Sequence, residues 1–403
     1  MKTIVKMRFV LIIIPFMLLQ VSCNQHGATR EISYNAEEVI KCLNCDVKDL
    51  QFEEADMLFQ DMEIVKLETS NSCLIGTIEQ IEVIDNDIFI FDNHKNIFRF
   101  SKKDGTFLNK IGFEGQGPGE YIGIRGFSIN KKLNVISVVC ISKMAIITYD
   151  FQGNHISSQK VPAEVFGDIS YAVYTQDGSM FINNHMYLEP FVAYISFNPD
   201  NKKTQDIFTY EFFGQRDYMM SFSTHPIAEF EDGLHFIMPV EHVVYEYKRG
   251  NIRAQYEIEI PWKLVDREQV AKNENPLFVG ATLVAMNTNT FSGFNAIFQT
   301  KNKMLLNFTD PQAKQSFILI DKETKEGTYY HYSTHPYGKN PFFKVLSCTE
   351  EYFISELHPN MMNMMYSWMF SSEKIKDVKN KVLQDALNQM SVEDNPYLIF
   401  YKQ

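Results

Sequence analysis

Basic charge and cysteine are both scarce in this chain. Thirty-eight Lys and Arg stand against 50 Asp and Glu in 403 residues, a net charge of −12. Gripping nucleic acid or an anionic lipid surface by charge needs a basic stripe against phosphate, so neither partner class is expected. There are six cysteines, Cys23, Cys42, Cys45, Cys73, Cys140 and Cys348. With Cys23 set aside, the rest are too sparse and irregular for a disulfide framework. Cys42-Leu43-Asn44-Cys45 has redox spacing but lacks the strand–helix context of a thioredoxin fold, which leaves a local disulfide or two idle thiols. No second ligand pair completes a zinc site, and no nucleophile elbow, HExxH or kinase signature occurs. The apolar run from Phe9 to Leu19 is 11 residues long, too short for a membrane-spanning helix.

That run has another use. Lys2, Lys6 and Arg8 precede it and Ser22-Cys23 follow it, the order of a secretory signal. The arrangement resembles a bacterial lipoprotein signal, with Cys23 the lipidated first residue of the mature chain, although Gln20 stands where Leu is usual. A plain secretory signal is the alternative. Both place the mature chain outside the cytoplasm, and the first anchors it to a membrane without spanning it. The expected division is a signal peptide over 1–23, a polar tether over 24–54 and a folded unit over 55–403.

What the chain has in quantity is aromatic residues, 33 Phe and 20 Tyr, which favour strands. A short apolar triplet recurs: Phe98-Arg99-Phe100, Ile147-Thr148-Tyr149, Ile195-Ser196-Phe197, Tyr245-Glu246-Tyr247, Ile318-Leu319-Ile320 and Leu398-Ile399-Phe400. The steps are 49, 48 and 50 residues, then 73 and 80. A period near 49 built from short strands predicts an all-β, six-bladed β-propeller with four antiparallel strands per blade. Turns are expected at Asp85-Asn86, Asp177-Gly178 and Asp232-Gly233 between first and second strands. Asp104-Gly105, Gln152-Gly153, Asn201-Lys202, Arg249-Gly250 and Glu326-Gly327 are expected between third and fourth. The last repeat ends at its third strand, while Met62 to Leu67 is a spare strand before the first. The N-terminal strand is therefore expected to close the last blade, which protects the edges. Two insertions stretch the later steps, Asp266 to Ser292 and one inside blade six. In the latter, Ile375, Val378, Val382, Leu383 and Leu387 fall at helical spacing behind a Ser371 or Ser372 N-cap.

The most distinctive stretch is Gly112-Phe113-Glu114-Gly115-Gln116-Gly117-Pro118-Gly119-Glu120-Tyr121. It has no Lys-Ser or Lys-Thr pair and a strand follows it, so it does not read as a phosphate loop. It reads as the crossing from the rim of one blade to the centre of the next, with Gly and Pro setting the path. This loop, the preceding Ile88-Phe89-Ile90-Phe91-Asp92 and the ending Asn395-Pro396-Tyr397-Leu398-Ile399-Phe400-Tyr401 resemble the six-bladed propeller lipoproteins of Gram-negative gut anaerobes. That family is similar to NHL-type propellers. The resemblance covers about residues 55 to 403. It implies a fold and an envelope location, as an outer-membrane lipoprotein on the periplasmic or the surface face. It carries no agreed activity.

In a propeller, the connections from fourth to first strand and from second to third emerge on one face, the usual binding surface. The candidate ligand-binding residues there are Asp92, His94, Gln116, Glu120, Tyr121, Arg125, His185, Tyr187, His242 and His358. Lys95, Lys143, Glu189, Glu241 and Asp310 lie on the same loops. Converging His and carboxylates could hold a divalent metal ion, but no single loop has metal-ligand spacing. The Met361 to Met369 cluster could bind copper(I), although packing is the simpler use of Met. The expected function is an envelope-anchored binding or scaffold protein that engages a glycan, peptide or protein. A metal-dependent lyase or lactonase-like enzyme at the channel mouth is the alternative, and no catalytic residue is named.

Overall fold

A computed structural model describes residues 36–43, 61–161, 169–184, 191–210, 224–231, 233–238, 240–266, 281–332, 344–359, 375–376 and 378–403. Almost all regular structure is antiparallel strand. The first sheet holds β3 (Ile78–Ile84), β4 (Asp87–Asp92), β5 (Ile97–Ser101) and β6 (Phe107–Lys110). The second holds β7 (Phe127–Asn130), β8 (Val135–Cys140), β9 (Ala145–Asp150) and β10 (His155–Lys160). The third holds β11 (Ile169–Tyr174), β12 (Met180–Asn184), β13 (Phe191–Asn198) and β14 (Lys203–Tyr210). A nine-stranded sheet follows. One antiparallel run is β15 (Ile227–Phe230), β16 (Gly233–Ile237), β17 (Val243–Lys248) and β18 (Asn251–Glu259). The other is β19 (Ala296–Gln299), β20 (Lys303–Thr309), β21 (Gln315–Asp321) and β22 (Glu326–His331). Strand β1 (Glu38–Leu43) lies between β18 and β22. The last sheet is β23 (Val345–Cys348), β24 (Tyr352–Leu357) and β25 (Tyr397–Lys402), with β2 (Met62–Lys66) on its outer edge.

Every recurring triplet falls in a third strand, in β5, β9, β13, β17, β21 and β25. The outer residues of each triplet are buried; two apart in a strand, they share one face and pack into the same inter-sheet gap. Outer strands differ: β10 (HISSQK) is almost wholly exposed and correspondingly polar. First strands pack side by side, β7 with β11, β11 with β15, β15 with β19, β19 with β23 and β23 with β3. Between β3 and β7 the link is Gln80, whose Nε2 donates to Phe127 O (2.9 Å) and whose Oε1 accepts from Phe127 N–H (3.0 Å). Apolar clusters fill each inter-sheet gap. In the gap between the last and first sheets, Val65, Ile354, Leu398 and Phe400 meet Ile81, Ile88, Ile90 and Phe98. The arrangement is propeller-like, with the chain's two ends stitched together in one sheet.

The pairing of β2 with β25 runs from Met62↔Tyr401 to Lys66↔Tyr397. Asn395 reinforces it. Its Oδ1 accepts from Ile75 N–H (2.9 Å), and its Nδ2 donates to Glu68 O (2.6 Å) and Cys73 O (2.7 Å).

Three local expectations need correction. Residues 38–43, read as tether, are a strand. Ile40 and Cys42 point inward, Glu38 pairs with Lys325, Lys41 is exposed, and Val39, 60% exposed, blurs the alternation. Cys42 is disulfide-bonded; Cys45 lies outside the described residues. Glu326-Gly327 is not a turn but the start of β22, and Lys325 (φ 61°) takes the turn position. Gly327 suits close packing: a Cβ there would lie 3.0 Å from Ile318, 3.3 Å from Ile320 and 3.4 Å from Ile40. The helix expected to run from Ile375 through Leu387 is interrupted, because residues 378–380 are not helical. Helix α2 spans Lys381–Gln389, capped by Asn380, whose Oδ1 accepts from Leu383 N–H (3.1 Å). Leu383 and Leu387 are buried, Val382 faces solvent, and Ser371 and Ser372 lie outside the described residues. The insertion before β19 contributes helix α1 (Ala281–Thr288). No helix among the described residues is long and apolar enough to cross a membrane.

Candidate functional site

The connections from outer to first strands and from second to third strands leave the sheets at one end, here called the crossover face. Its best-defined part is the segment between β6 and β7. Gly115 N–H and Tyr121 N–H donate to Tyr121 O and Phe113 O (2.9 and 3.0 Å), closing a small loop. Glu120 turns back under it, its Oε2 accepting from Gly117 N–H (2.7 Å). A Cβ on Gly115 would lie 2.1 Å from that oxygen, so glycine is what lets the carboxylate in. From the β8–β9 turn, Lys143 Nζ donates to Gly117 O and Glu120 O, both at 2.7 Å. Tyr149 Oη donates to Gly119 O (2.7 Å) and Tyr121 Oη to Lys95 O (2.9 Å). Burial, and then the Glu114 and Asp92 carboxylates, push the Tyr121 phenol well above its usual range, so it stays a neutral donor. The product is a rigid loop whose Gln116 is exposed and whose Phe113 ring is 64% exposed.

The expected site residues therefore separate. Glu120 and Tyr121 are spent inside the loop. Asp92 is fully buried and holds its own turn: Oδ1 accepts from Asn96 N–H (2.9 Å) and Oδ2 from Gly76 N–H (3.1 Å). Asp310 does the same with Lys314 N–H (2.8 Å) and Gln312 N–H (2.9 Å). His94 and His358 are brought together around Gly76. The His94 ring lies 2.6 Å from where a Gly76 Cβ would sit. His358 interacts with the Gly76 backbone, and burial lowers its basicity. His242 stands apart on the rim of the nine-stranded sheet, its Nε2 3.1 Å from Glu257 Oε1. Arg125 is exposed on the way into β7 and lines a recess with Gly126, Phe127, Ser137 and Tyr171. His185, Tyr187, Glu189 and the Met361–Met369 cluster lie outside the described residues. Among the described residues, no three His, Cys, Asp or Glu side chains are grouped to hold a metal ion.

Sequence reasoning passed over the axis of the ring. A narrow recess there is lined by Gln80, Tyr171, His225, Phe298 and Val345, from five first strands or their approaches. It has room for solvent rather than for a drug-sized ligand. His225 stacks on Phe298 (4.5 Å) and leans on Tyr171 (4.6 Å), and burial pushes its pKa down to about 3, so it is neutral. Below, Tyr171 Oη and Gln80 Nε2 donate to Glu82 Oε1 (2.9 and 3.2 Å). Burial raises the Glu82 carboxyl, against those two bonds. Lys131 pairs with Glu229 across the far mouth; burial alone would lower its ammonium, but the pairing raises it. Cys348, beside this belt, is pushed up to about 12 by burial and is an unreactive thiol. Glu82 and Tyr171 had no sequence signal beyond a polar residue in a first strand. Phe113 had one, an aromatic set between glycines.

Closed packing of antiparallel sheets around an axis defines a β-propeller-like protein. The chain belongs to the family described as a domain of unknown function, DUF4934, whose model matches residues 37–402. It is similar in fold to a Bacteroides fragilis protein taken to be exported: 18% identity, TM-score 0.73, over 90% of this chain and 98% of that one. It is also similar to a member of the DUF4221 family from Bacteroides vulgatus: 12% identity, TM-score 0.52, over 86% and 97%. At such identities the likeness carries the fold. No curated relative matches the chain.

Proposed function

We propose that this chain is an exported binding or scaffold protein on a six-bladed, NHL-like propeller that engages a polypeptide partner on the crossover face. Six blades follow from reading each antiparallel run of the nine-stranded sheet as one blade, with β1 as a bridge between their rims. Export is supported by the signal-like N-terminus and by the B. fragilis relative. Lipidation at Cys23 would anchor it to the outer membrane.

One observation carries the binding role: the β6–β7 loop is braced by Lys143, Tyr149 and Glu120, yet presents Phe113 outward. An exposed aromatic on a pre-ordered loop loses little entropy on docking, which is how contact hot spots are built. Leu74 and Met144 are also exposed on crossover-face connections. His94, Gln116 and Arg125 supply polar contacts beside it. A shallow aromatic surface suits a polypeptide better than a small substrate.

The test is a thermal-melt panel of peptides, soluble glycans and divalent ions, the last with a chelator control, on wild type and Phe113→Ala. A peptide at 100-fold over its Kd stabilises by about 2.7 kcal/mol. That is a rise of about 3 to 4 °C for a unit of this size, and Phe113→Ala should lose most of it. A rise that Phe113→Ala leaves intact, or one seen with ions alone, refutes the reading.

A further inference from the structure

We propose that the trough between β18 and β22 is a strand-docking seat that accepts β1 from a second copy of this chain as well as from its own. The inference is independent of the function proposed above.

Strand β1 is parallel to both neighbours, from Glu38↔Tyr256 to Lys41↔Glu259 on one side and from Lys41↔Glu326 to Leu43↔Thr328 on the other. Everything that holds it is remote in sequence. Ile40 and Cys42 sink into a cluster with Ile258, Ile318 and Ile320, and Ile40 packs beside Gly327. Arg253 Nη1 donates to both Glu37 carboxylate oxygens (2.7 and 2.8 Å), and Lys325 pairs with Glu38 (3.1 Å). Lys41 lies in register between Glu259 and Glu326. The seat thus specifies acidic residues first, then a buried branched side chain. Without an occupant, β18 and β22 would each present an open edge, the kind of surface that captures another strand. The family match begins at residue 37 and so includes the occupant.

Between Leu43 and Met62 the sequence has 18 residues, enough to span up to roughly 60 Å. A flexible link of 18 residues would set an effective concentration on the order of mM. The chain's own β1 wins in dilute solution, and a second copy's β1 competes as concentration approaches that value. Reciprocal exchange gives a two-fold dimer with no new contact surface.

Val39 and Glu257 are register partners, at the ~5 Å spacing of neighbouring strands, which a disulfide can bridge. Val39→Cys and Glu257→Cys chains are mixed and oxidised, and the doubly substituted chain gives the cis reference. A disulfide-linked pair of the two single variants is expected, its yield rising roughly tenfold from about 10 to about 100 μM. Gly327→Val in the Glu257→Cys chain, whose longer side chain crowds Ile318 and Ile320 and reaches Ile40, should lower that yield. No linked pair near mM concentration, no cis bond in the double variant, or a linked pair indifferent to Gly327→Val would each overturn the proposal.

Discussion

Removing the Asn395 side chain should loosen the closure of the ring. The amide is almost wholly buried and makes three bonds to the segment after β2, with Ile75 N–H, Glu68 O and Cys73 O. In Asn395→Ala all three backbone groups lose their partner in a site with little water. Each costs about 1 to 1.5 kcal/mol, so the sum is about 3 to 5 kcal/mol. Unfolding entropy near 2.1 cal/mol/K per residue, over about 340 residues from β2 onward, is ~0.7 kcal/mol/K. The melting temperature should fall by about 4 to 7 °C. Asn395→Asp sharpens the test: it keeps the acceptor for Ile75 but turns an oxygen toward two carbonyls, and should cost at least as much. Differential scanning calorimetry on the three chains decides it. Asn395→Ala within about 1 °C of wild type, or Asn395→Asp milder than Asn395→Ala, would refute the stitching argument.

Three other predictions concern local chemistry. Gly115→Ala should displace Glu120 from Gly117 N–H and cost about 1 to 2 kcal/mol in urea denaturation. That cost should shrink in a Glu120→Ala background, and full additivity would contradict the contact. Burial pushes Glu356 up to about 7, and its Oε2 has no hydrogen-bond partner. The folded state then holds the proton more tightly than the unfolded chain. Stability should fall as pH rises from about 4.5 to 7, by up to about 3 kcal/mol, and Glu356→Gln should remove the fall and melt higher at pH 8. A wild-type profile unchanged by the substitution would count against it. His235, wholly buried against Phe230, is pushed down to about 3. Here the unfolded chain binds the proton first, so stability should be lost as pH drops below about 6.5 toward 4, and His235→Phe should flatten that limb of the melting curve. An identical acid limb in both chains would count against it.

The strands were legible wherever apolar residues alternate, because triplets such as Phe98-Arg99-Phe100 put two large side chains on one buried face. Closure by β2 was legible from a missing strand at one end and a spare one at the other. Strand β1 was not: its inward residues are one Ile and one Cys, its outward set includes Val39, and its partners lie more than 200 residues away. The Glu326-Gly327 pair misled because a strand glycine and a turn glycine look alike until Ile40 is placed against it. In the site, Asp92, Glu120 and Tyr121 carry the right chemistry for a ligand but spend it on their own turns. A sequence cannot tell which way a loop carboxylate points. Glu82 and Tyr171 meet only because the ring brings β3 and β11 to one axis, which no local pattern records.

The most direct test of the central claim is a hydrogen–deuterium exchange footprint, taken with whichever peptide raises the melting temperature. The account predicts protection over residues 92–96, 112–126 and 141–144, the crossover-face connections around Phe113. Protection confined to the opposite turns at 131–134, 175–178 and 300–303 would contradict it.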